Sequence, residues 1–181
     1  MTNPTLHLLC GKMAAGKSTL AARLAAEHGA VLLSEDQWTA TLWPGELTSL
    51  DTYRDRSRRL RTVLWPHVTD LLRSGVSVVL DFAANTRGQR AGLRRIVEDA
   101  GVPHVLHYLD VPDVVCKARL RARNAEGAHE YAPSEADFEV FTRYFQAPEA
   151  GEGFVIRRVM PDGEVDGVSA SGDLPGSVSN E

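Results

Sequence analysis

The segment from Gly11 to Ser18 constrains the fold of this 181-residue chain more than any other. It reads GKMAAGKS and matches the pattern G-x-x-x-x-G-K-[ST]. A short apolar run, TLHLLC at residues 5–10, precedes it, and leucine and alanine at helical spacing follow it as far as Gly29. The pattern therefore predicts a buried strand, a glycine-rich loop and a helix in direct succession.

Short apolar runs recur along the chain, separated by helical patterns. The runs predicted to be strands are AVLLS at 30–34, VSVVL at 76–80, HVLHYL at 104–109 and FVIRRVM at 154–160. Helices are predicted over 51–74 with a kink or restart at Pro66, over 87–100, over 112–126, and after Ser134. This alternation indicates a three-layer α/β domain, with a mainly parallel sheet between helices on both faces.

Composition and charge separate a body from a tail. Residues 1–160 carry the strand and helix patterns and are predicted to form one domain. Residues 161–181 are rich in Gly, Ser and Asp and are expected to be a flexible tail, with room for one edge hairpin. All 20 basic residues and 19 of the 24 acidic residues lie in 1–158, a balance of +1. Such a near-neutral body argues against a long nucleic-acid surface.

The cysteines and the apolar pattern bear on the cellular compartment. Cys10 and Cys116 lie in a predicted strand and a predicted helix, and their spacing indicates neither a disulfide framework nor a zinc site. They are expected to be buried thiols. No apolar run approaches the roughly 20 residues that cross a bilayer, and no targeting pattern opens the sequence. A cytoplasmic protein without a membrane partner is therefore expected.

The glycine-rich segment carries the groups that bind a nucleoside triphosphate, unless it is a glycine-rich turn that fits the pattern by chance. Gly11 and Gly16 allow the backbone to wrap phosphate oxygens, and the helix beginning near Lys17 points unpaired N–H groups at them. Lys17 is expected to reach the β and γ phosphates of ATP, and Ser18 to ligate Mg²⁺. The full set of predicted ATP contacts is Gly11, Ala14, Ala15, Gly16, Lys17, Ser18 and Thr19.

Two carboxylates follow predicted strands and can complete a phosphoryl-transfer site. Asp81 directly follows VSVVL, where it can hold the metal, although a strand-ending aspartate can also be a turn residue. Asp36 follows AVLLS and can accept the proton of an attacking hydroxyl. Glu35 is the rival for that role, and a helix N-cap is the other interpretation of Asp36.

The arginines have two interpretations, as transition-state ligands or as a solvated surface. Arg119 and Arg123 lie one turn apart on a predicted helix, where either can stabilise charge on the transferring phosphoryl group. Arg54, Arg58 and Arg61 share one helical face, but acidic neighbours favour a salt-bridged surface over an anion-binding track.

Other candidate side chains carry less information. Trp38, Trp43 and Tyr53 follow the second strand and could stack on an acceptor ring, although aromatic residues here more often belong to the core. Lys12 occupies a variable position of the motif and is expected to be solvated. The six histidines show no metal-ligand spacing, so they are assigned no chemistry.

Residues 5–147 resemble a family of small P-loop kinases, AAA-type ATP-binding proteins that include the kinase domain of phage-type polynucleotide kinase, zeta toxins and chloramphenicol phosphotransferase. The loop GKMAAGKST is the specific part of this resemblance. SEDQW carries the family's proton-accepting aspartate onto Asp36, and VVLDFAANT carries its second acidic residue onto Asp81. LDVPDVVCKARLRARNAEG places the lid arginine at Arg123, with Arg119 as second choice. The resemblance implies ATP, Mg²⁺, phosphorylation of a hydroxyl, and five strands in the order 2-3-1-4-5.

The chain departs from the polynucleotide kinases at Thr39, where those proteins have an arginine that engages the nucleic-acid end. The expected function is therefore transfer of the γ-phosphoryl group of ATP to a hydroxyl of a small-molecule or nucleotide-like acceptor. A polynucleotide 5′-hydroxyl kinase is one alternative. A non-kinase ATPase switch that acts through a partner is another, and such a switch would not need Asp36.

Overall fold

A six-stranded sheet forms the centre of the fold. The computed structural model describes residues 3–46, 49–126 and 133–162, and the backbone of 165–169. The strands are β1 (Leu6–Gly11), β2 (Val31–Ser34), β3 (Val78–Ala83), β4 (His104–Leu109), β5 (Ile156–Val159) and β6 (Val165–Ser169). Their order is β2-β3-β1-β4-β5-β6, with β6 antiparallel to β5 and every other neighbouring pair parallel. The predicted order of the five parallel strands is confirmed.

The last strand, β6, lies within the segment expected to be a tail. It pairs antiparallel with β5 at the edge of the sheet. This pairing is the edge hairpin that the sequence analysis allowed for in residues 161–181. The remainder of the predicted tail beyond 169 lies outside the described residues.

Helices connect the strands in the described part of the chain. They are α1 (Lys17–His28), α2 (Glu35–Leu42), α3 (Leu50–Arg73), α4 (Arg87–Ala100), α5 (Asp113–Glu126) and α6 (Glu135–Arg143), and a 3₁₀ turn at Ala150–Glu152 precedes β5. The helix α3 does not restart at Pro66 but continues through it. Burial of Leu64, Val68 and Leu72 along α3 compensates for the N–H group that proline lacks. Ser134 and Asp137 form a capping box at the start of α6, the helix predicted after Ser134.

The core lies on both faces of the sheet, because successive residues of β1 point in opposite directions. Leu6 and Leu8 pack on the face covered by α3 and α4. Leu9 packs on the face covered by α1, α5 and α6. The whole of β1 is buried, as expected for a central parallel strand with helices on both sides.

The carboxyl ends of three neighbouring strands meet at one edge of the sheet. In the register of β2 with β3, Ser34 lies opposite Asp81, and β1, which pairs with the other side of β3, ends at Gly11. The loop before α1, the first turn of α2 and the end of β3 therefore come together at this edge. Ligands of open α/β sheets bind at this end of the strands.

Three histidines stack on the α1 face of the sheet. The rings of His7 and His28 lie 4.7 Å apart, and those of His7 and His107 lie 5.4 Å apart. The Nδ1 atom of His7 is 3.1 Å from Nε2 of His107. Burial lowers the pKa of His7 to about 4 and that of His107 to about 3. These two rings are therefore neutral parts of the core at neutral pH.

Two further sequence expectations concern the cysteines and the membrane. Cys10 and Cys116 are both free and buried, as predicted. No helix among the described residues has the length and apolarity that a bilayer crossing needs.

Candidate active site

The loop between β1 and α1 explains both glycines of the motif. Gly16 has φ of 104°, a conformation that residues with a side chain rarely adopt. A Cβ atom on Gly11 would lie 3.1 Å from Cβ of Leu109, closer than an ordinary contact. Ala14 also has a positive φ, of 57°, which is uncommon for a residue other than glycine. The loop is thus held in a defined and partly strained conformation.

The helix α1 begins with its N–H groups open toward this loop. Gly16 is its N-cap and provides no side-chain cap, and no acidic residue lies in the first turn. The positive end of the helix dipole is therefore not neutralised within α1 itself, which favours an anion at this position. Ser18 and Thr19 are exposed in the same turn.

Asn85, which the sequence analysis did not single out, supports the start of the loop. Its Oδ1 accepts a hydrogen bond of 2.9 Å from the backbone N–H of Gly11. The backbone N–H of Asn85 donates in turn to Oε1 of Gln89 at 2.9 Å, so the residue is fixed between β3 and α4. The one available signal was a polar residue just beyond the carboxyl end of a strand that neighbours β1.

Lys17 lies inside the loop, as the motif predicts. Its Nζ donates to the carbonyl oxygens of Gly11 at 2.7 Å and Lys12 at 2.8 Å. Burial lowers the pKa of Lys17, and the nearby carboxylates of Asp81 and Asp36 act in the opposite direction. Among the described residues the ammonium group of Lys17 donates to these two neutral carbonyl oxygens, and a charged phosphate oxygen is a stronger acceptor for it.

Ser18 and Asp81 lie together at the end of the loop. Burial raises the pKa of Asp81, whereas its side-chain hydrogen bonds with Ser18 and Ser34 and the charge of Lys17 lower it. A hydroxyl and a carboxylate are oxygen ligands, and Mg²⁺ in nucleotide sites uses one or two protein ligands besides phosphate and water. Ser18 and Asp81 therefore offer the type and the number of protein ligands that Mg²⁺ uses in such sites. Among the described residues, no cluster of three or more His, Cys, Asp or Glu forms a metal site of the protein's own.

Asp36 is an exposed residue in the first turn of α2. Surrounding protein raises its pKa by desolvation, and the negative charges of Glu35 and Asp81 raise it further. The positive charges of Lys17 and Arg123 act in the opposite direction. Asp36 is therefore close to the loop lysine and to the second strand-ending carboxylate. It is not an N-cap, because α2 begins at Glu35 with Ser34 as its N-cap.

Glu35, the rival of Asp36, is only 2% exposed. Its two carboxylate oxygens accept hydrogen bonds of 3.1 Å from Nε and Nη2 of Arg61. The hydroxyl of Ser57 donates to Oε1, and that of Tyr53 lies 3.5 Å from Oε2. Glu35 is thus enclosed by donors, whereas Asp36 is open to solvent.

The three arginines on one face of α3 were expected to form a salt-bridged surface, and Arg61 does not belong to it. Arg54 and Arg58 do lie on a salt-bridged surface, paired with Asp51 and Asp55. The side chain of Arg61 is only 16% exposed and is bound to Glu35, so its assignment to that surface is wrong. It shares their helical face, but it lies further along α3, where this face meets β2 and β3.

The structure separates the two arginines proposed for the transferring phosphoryl group. Arg119 donates to the carbonyl oxygen of Ala15 at 3.0 Å and to that of Pro161 at 3.1 Å, so it links the loop to the turn after β5. Arg123 is half-buried, and its Nε has no hydrogen-bond partner among the described residues. The charge of Arg123 lowers the pKa of Asp36, so the two side chains are near enough to interact.

The remaining sequence candidates are held by local contacts. Lys12 forms an ion pair with Asp113 and lies 5.6 Å from the centroid of the Phe145 ring, so the expectation of a solvated charge is wrong. Trp43 packs partly buried against the core. Trp38, two residues beyond Asp36, is the more exposed of the two tryptophans and remains available to a ligand.

Comparisons with known proteins show which family and fold this chain shares. The AAA domain family matches residues 6–148. An adenylyl-sulfate kinase from Myxococcus xanthus (strain DK1622) is 32% identical over 149 residues, which cover 78% of this chain and 76% of that protein. A candidate kinase from Chloroflexus aurantiacus J-10-fl has a similar structure, with a TM-score of 0.69, 23% identity, and coverage of 88% of this chain and 86% of that one. APS kinase from Mycobacterium tuberculosis, solved in complex with AMPPNP and APS, gives a TM-score of 0.57 at 23% identity and covers 90% and 91%.

The family match spans most of the chain, and the curated relative is similar over more than two thirds of both proteins. The two solved structures share the fold. The chain therefore belongs to the AAA domain family, among the small P-loop kinases, and is an ATP-dependent phosphotransferase that acts on a hydroxyl group.

Proposed function

We propose that the protein transfers the γ-phosphoryl group of ATP to a hydroxyl of a small-molecule or nucleotide-like acceptor, with Asp36 as the general base. One observation carries the proposal: the first residue of α1, Lys17, the first turn of α2 with Asp36, and the carboxyl-terminal half of β3 with Asp81 meet at one edge of the sheet. A phosphate-binding lysine, a metal-binding carboxylate and a proton acceptor are the groups that phosphoryl transfer to a hydroxyl requires.

In the proposed step, the Asp36 carboxylate takes the proton of the acceptor hydroxyl as its oxygen attacks the γ phosphorus of ATP. The bond between that phosphorus and the β–γ bridging oxygen breaks, so that ADP leaves and a phosphate ester forms. Lys17 and the N–H groups at the start of α1 bind the phosphates. Arg123 neutralises charge that accumulates on the transferring group, whereas Arg119 supports the loop through the carbonyl of Ala15.

Ser18 and Asp81 would hold Mg²⁺, which supplies charge neutralisation at the β and γ phosphates when it is bound. The Ser18 side chain lowers the pKa of Asp81, so the hydroxyl and the carboxylate lie near each other at the start of α1. Ser34, which lies opposite Asp81 in the register of β2 with β3, acts on this pKa in the same direction.

A nucleotide-like acceptor is favoured by similarity to the adenylyl-sulfate kinase, which is 32% identical to this chain. Adenylyl sulfate is accordingly the first acceptor to test.

A polynucleotide acceptor is disfavoured by residues on α2 and α3. Thr39 is 1% exposed, and its hydroxyl donates to the carbonyl oxygens of Glu35 at 2.8 Å and Asp36 at 3.2 Å. It therefore cannot replace the arginine that polynucleotide kinases use for the nucleic-acid end. Arg58 and Arg61 are also occupied by carboxylates of the chain itself.

The experiment is a transfer screen with γ-labelled ATP and Mg²⁺. Adenylyl sulfate, sugars, nucleosides, alcohol-bearing antibiotics and a 5′-hydroxyl oligonucleotide serve as acceptors, with Lys17→Ala as the inactive control. Labelling of a small acceptor by wild type alone supports the proposal. Phosphate release to water with no labelled product, stimulated by a protein partner, would instead indicate an ATPase switch.

A further inference from the structure

Glu35 is a charged residue in the protein interior, directly before the proposed base. A buried carboxylate is costly unless donors surround it, and Glu35 has Arg61, Ser57 and Tyr53 around it. The charge of Glu35 also raises the pKa of Tyr53, after the larger effect of burial. The cost of this arrangement needs an explanation, because an apolar residue of similar size would fill the same space more cheaply.

Arg61 is itself held in place on the side away from Glu35. Its guanidinium carbon lies 5.7 Å from the centroid of the Trp65 ring and 5.6 Å from that of Phe82. Trp65 belongs to α3 and Phe82 to β3, so Arg61 connects the helix and the sheet to the start of α2. A planar guanidinium packed on rings and bound through two parallel hydrogen bonds has little freedom to reorient.

The position of Glu35 determines that of Asp36 through the backbone of α2. The two residues are consecutive in the first turn, and Thr39 ties both of their carbonyl oxygens into the helix. Because consecutive side chains on a helix point about 100° apart, a fixed Glu35 leaves one direction for Asp36. The first turn of a helix would otherwise be prone to fray, since its N–H groups lack partners within the helix.

We infer that Glu35 is a positioning residue: clamped by Arg61, Ser57 and Tyr53, it fixes the first turn of α2 and thereby aims Asp36 at the acceptor hydroxyl. The inference rests on the proposed role of Asp36 as the base. Glu35 does not take that role itself, because its oxygens are already occupied by donors and it is closed to solvent.

The test uses two clamp variants, Glu35→Asp and Arg61→Lys, which alter the contacts between Glu35 and the donors around it. Glu35→Asp keeps the charge but shortens the side chain by one methylene, and Arg61→Lys keeps the charge but removes the paired geometry. Arg58→Gln is the matched control, because Arg58 lies on the same helix in an ion pair at the surface. Hydrogen–deuterium exchange of residues 39–42, whose N–H groups bond to the carbonyl oxygens of residues 35–38 in the helix, reports the order of the first turn. γ-Phosphoryl transfer from Mg·ATP to adenylyl sulfate, or to the acceptor of the screen that wild type labels best, reports the action of Asp36.

Glu35→Asp is expected to speed exchange at residues 39–42 and to slow transfer by about tenfold or more, with the KM for ATP unchanged. In a protein that already carries Asp36→Asn, the Glu35→Asp substitution should slow transfer by less than about twofold. Glu35 can no longer position the base once the Asp36 carboxylate has been removed. Arg61→Lys should behave in the same way and substitutes for Glu35→Asp if that variant does not fold.

Two results overturn different parts of the proposal. If Asp36→Asn is slow but both clamp variants match Arg58→Gln in exchange and transfer, the positioning role is overturned and the base remains. If Asp36→Asn transfers phosphate as fast as wild type, the proposed base itself fails. Equal slowing by Glu35→Asp in the presence and absence of Asp36 would show a general structural effect and would also overturn the positioning role.

Discussion

Asn85 accepts a hydrogen bond from the backbone N–H of Gly11 at 2.9 Å, which joins the end of β3 to the first residue of the phosphate-binding loop. The backbone carbonyl oxygen of Asn85 also accepts a hydrogen bond of 2.8 Å from the backbone N–H of Gln146. The loop is therefore not held by its glycines alone. It is anchored through one side chain to the neighbouring strand and to the segment after α6.

Asn85→Ala should weaken ATP binding, because it leaves the N–H of Gly11 without its partner and loosens the loop. An unsatisfied donor costs about 1 to 3 kcal/mol, so the Kd for Mg·ATP should rise by about tenfold. Calorimetric titration of Mg·ATP measures this change. Asn85→Asp is the companion variant, since it keeps an acceptor for Gly11. An unchanged Kd for Asn85→Ala would mean that the contact does not shape the loop.

Lys17→Ala should abolish measurable transfer, since no other cation among the described residues contacts both Gly11 and Lys12 inside the loop. The control is Lys117→Ala, which removes a lysine that pairs with Glu139 on the surface. Initial rates with γ-labelled ATP decide the comparison. Residual transfer by Lys17→Ala at the level of the control would contradict the assignment of the loop.

Ser18→Ala should change the response to Mg²⁺ rather than the response to ATP alone. Loss of one oxygen ligand is expected to raise the Mg²⁺ concentration needed for half-maximal transfer, and excess Mg²⁺ should recover part of the rate. Thr19→Ala, one residue further along the same exposed turn, is the comparison. Identical Mg²⁺ titrations for wild type and Ser18→Ala would exclude the hydroxyl as a ligand.

The stacked histidines predict a loss of stability in mild acid. The native pKa values of about 4 for His7 and about 3 for His107 lie below the ordinary 6.5 of the unfolded chain, so the unfolded state binds protons first as the pH falls. The free energy of unfolding should fall between pH 6.5 and 5 by up to about 2 kcal/mol for each ring. Urea denaturation at several pH values measures it.

The histidine variants separate this effect from other titrations. His107→Gln removes one titrating ring from the stack and should flatten the pH dependence between 6.5 and 5. His67→Gln alters an exposed histidine of α3 and should leave the slope as in wild type. If all three proteins lose stability in parallel, other groups cause the dependence.

The fold could be predicted because its signals are local. The strands β1 to β4 are mostly apolar segments of four to six residues between helical patterns, and the family resemblance supplied the strand order. The continuity of α3 through Pro66 could not be predicted, because it depends on burial of Leu64, Val68 and Leu72 against the sheet. Local propensity disfavours a helix there, and tertiary packing outweighs it.

The candidate site was predictable only where it follows the motif. The motif could place Lys17, and topology could place Asp36 after β2 and Asp81 near the carboxyl end of β3, although Asp81 lies within that strand and not directly after it as predicted. Asn85 and Arg61 act through contacts with residues 74 and 26 positions away, and no spacing in the sequence indicates those contacts. Arg61 has the same helical spacing as the exposed Arg54 and Arg58, and only the register of α3 against the sheet distinguishes it.

The acceptor class predicts a specific salt dependence. A polynucleotide that contacts several basic groups loses affinity steeply as salt increases, because each contact releases counterions. The arginines Arg54 and Arg58 are already paired with acidic residues, so we expect weak or undetectable labelling of a 5′-hydroxyl oligonucleotide and little salt dependence with a small neutral acceptor. Transfer at low and moderate salt checks this. Efficient, salt-sensitive labelling of oligonucleotide ends would show that these arginines form a nucleic-acid track.

The most direct test of the proposed chemistry is the rate of γ-phosphoryl transfer by Asp36→Asn to the acceptor that wild type labels best. At saturating Mg·ATP, the variant should be slower by roughly 10² to 10⁴, the range for losing a positioned base, while its ATP affinity stays within a few-fold of wild type. Asp81→Asn should instead impair the use of Mg²⁺. Equal rates for Asp36→Asn and wild type would contradict the assignment of Asp36 as the base.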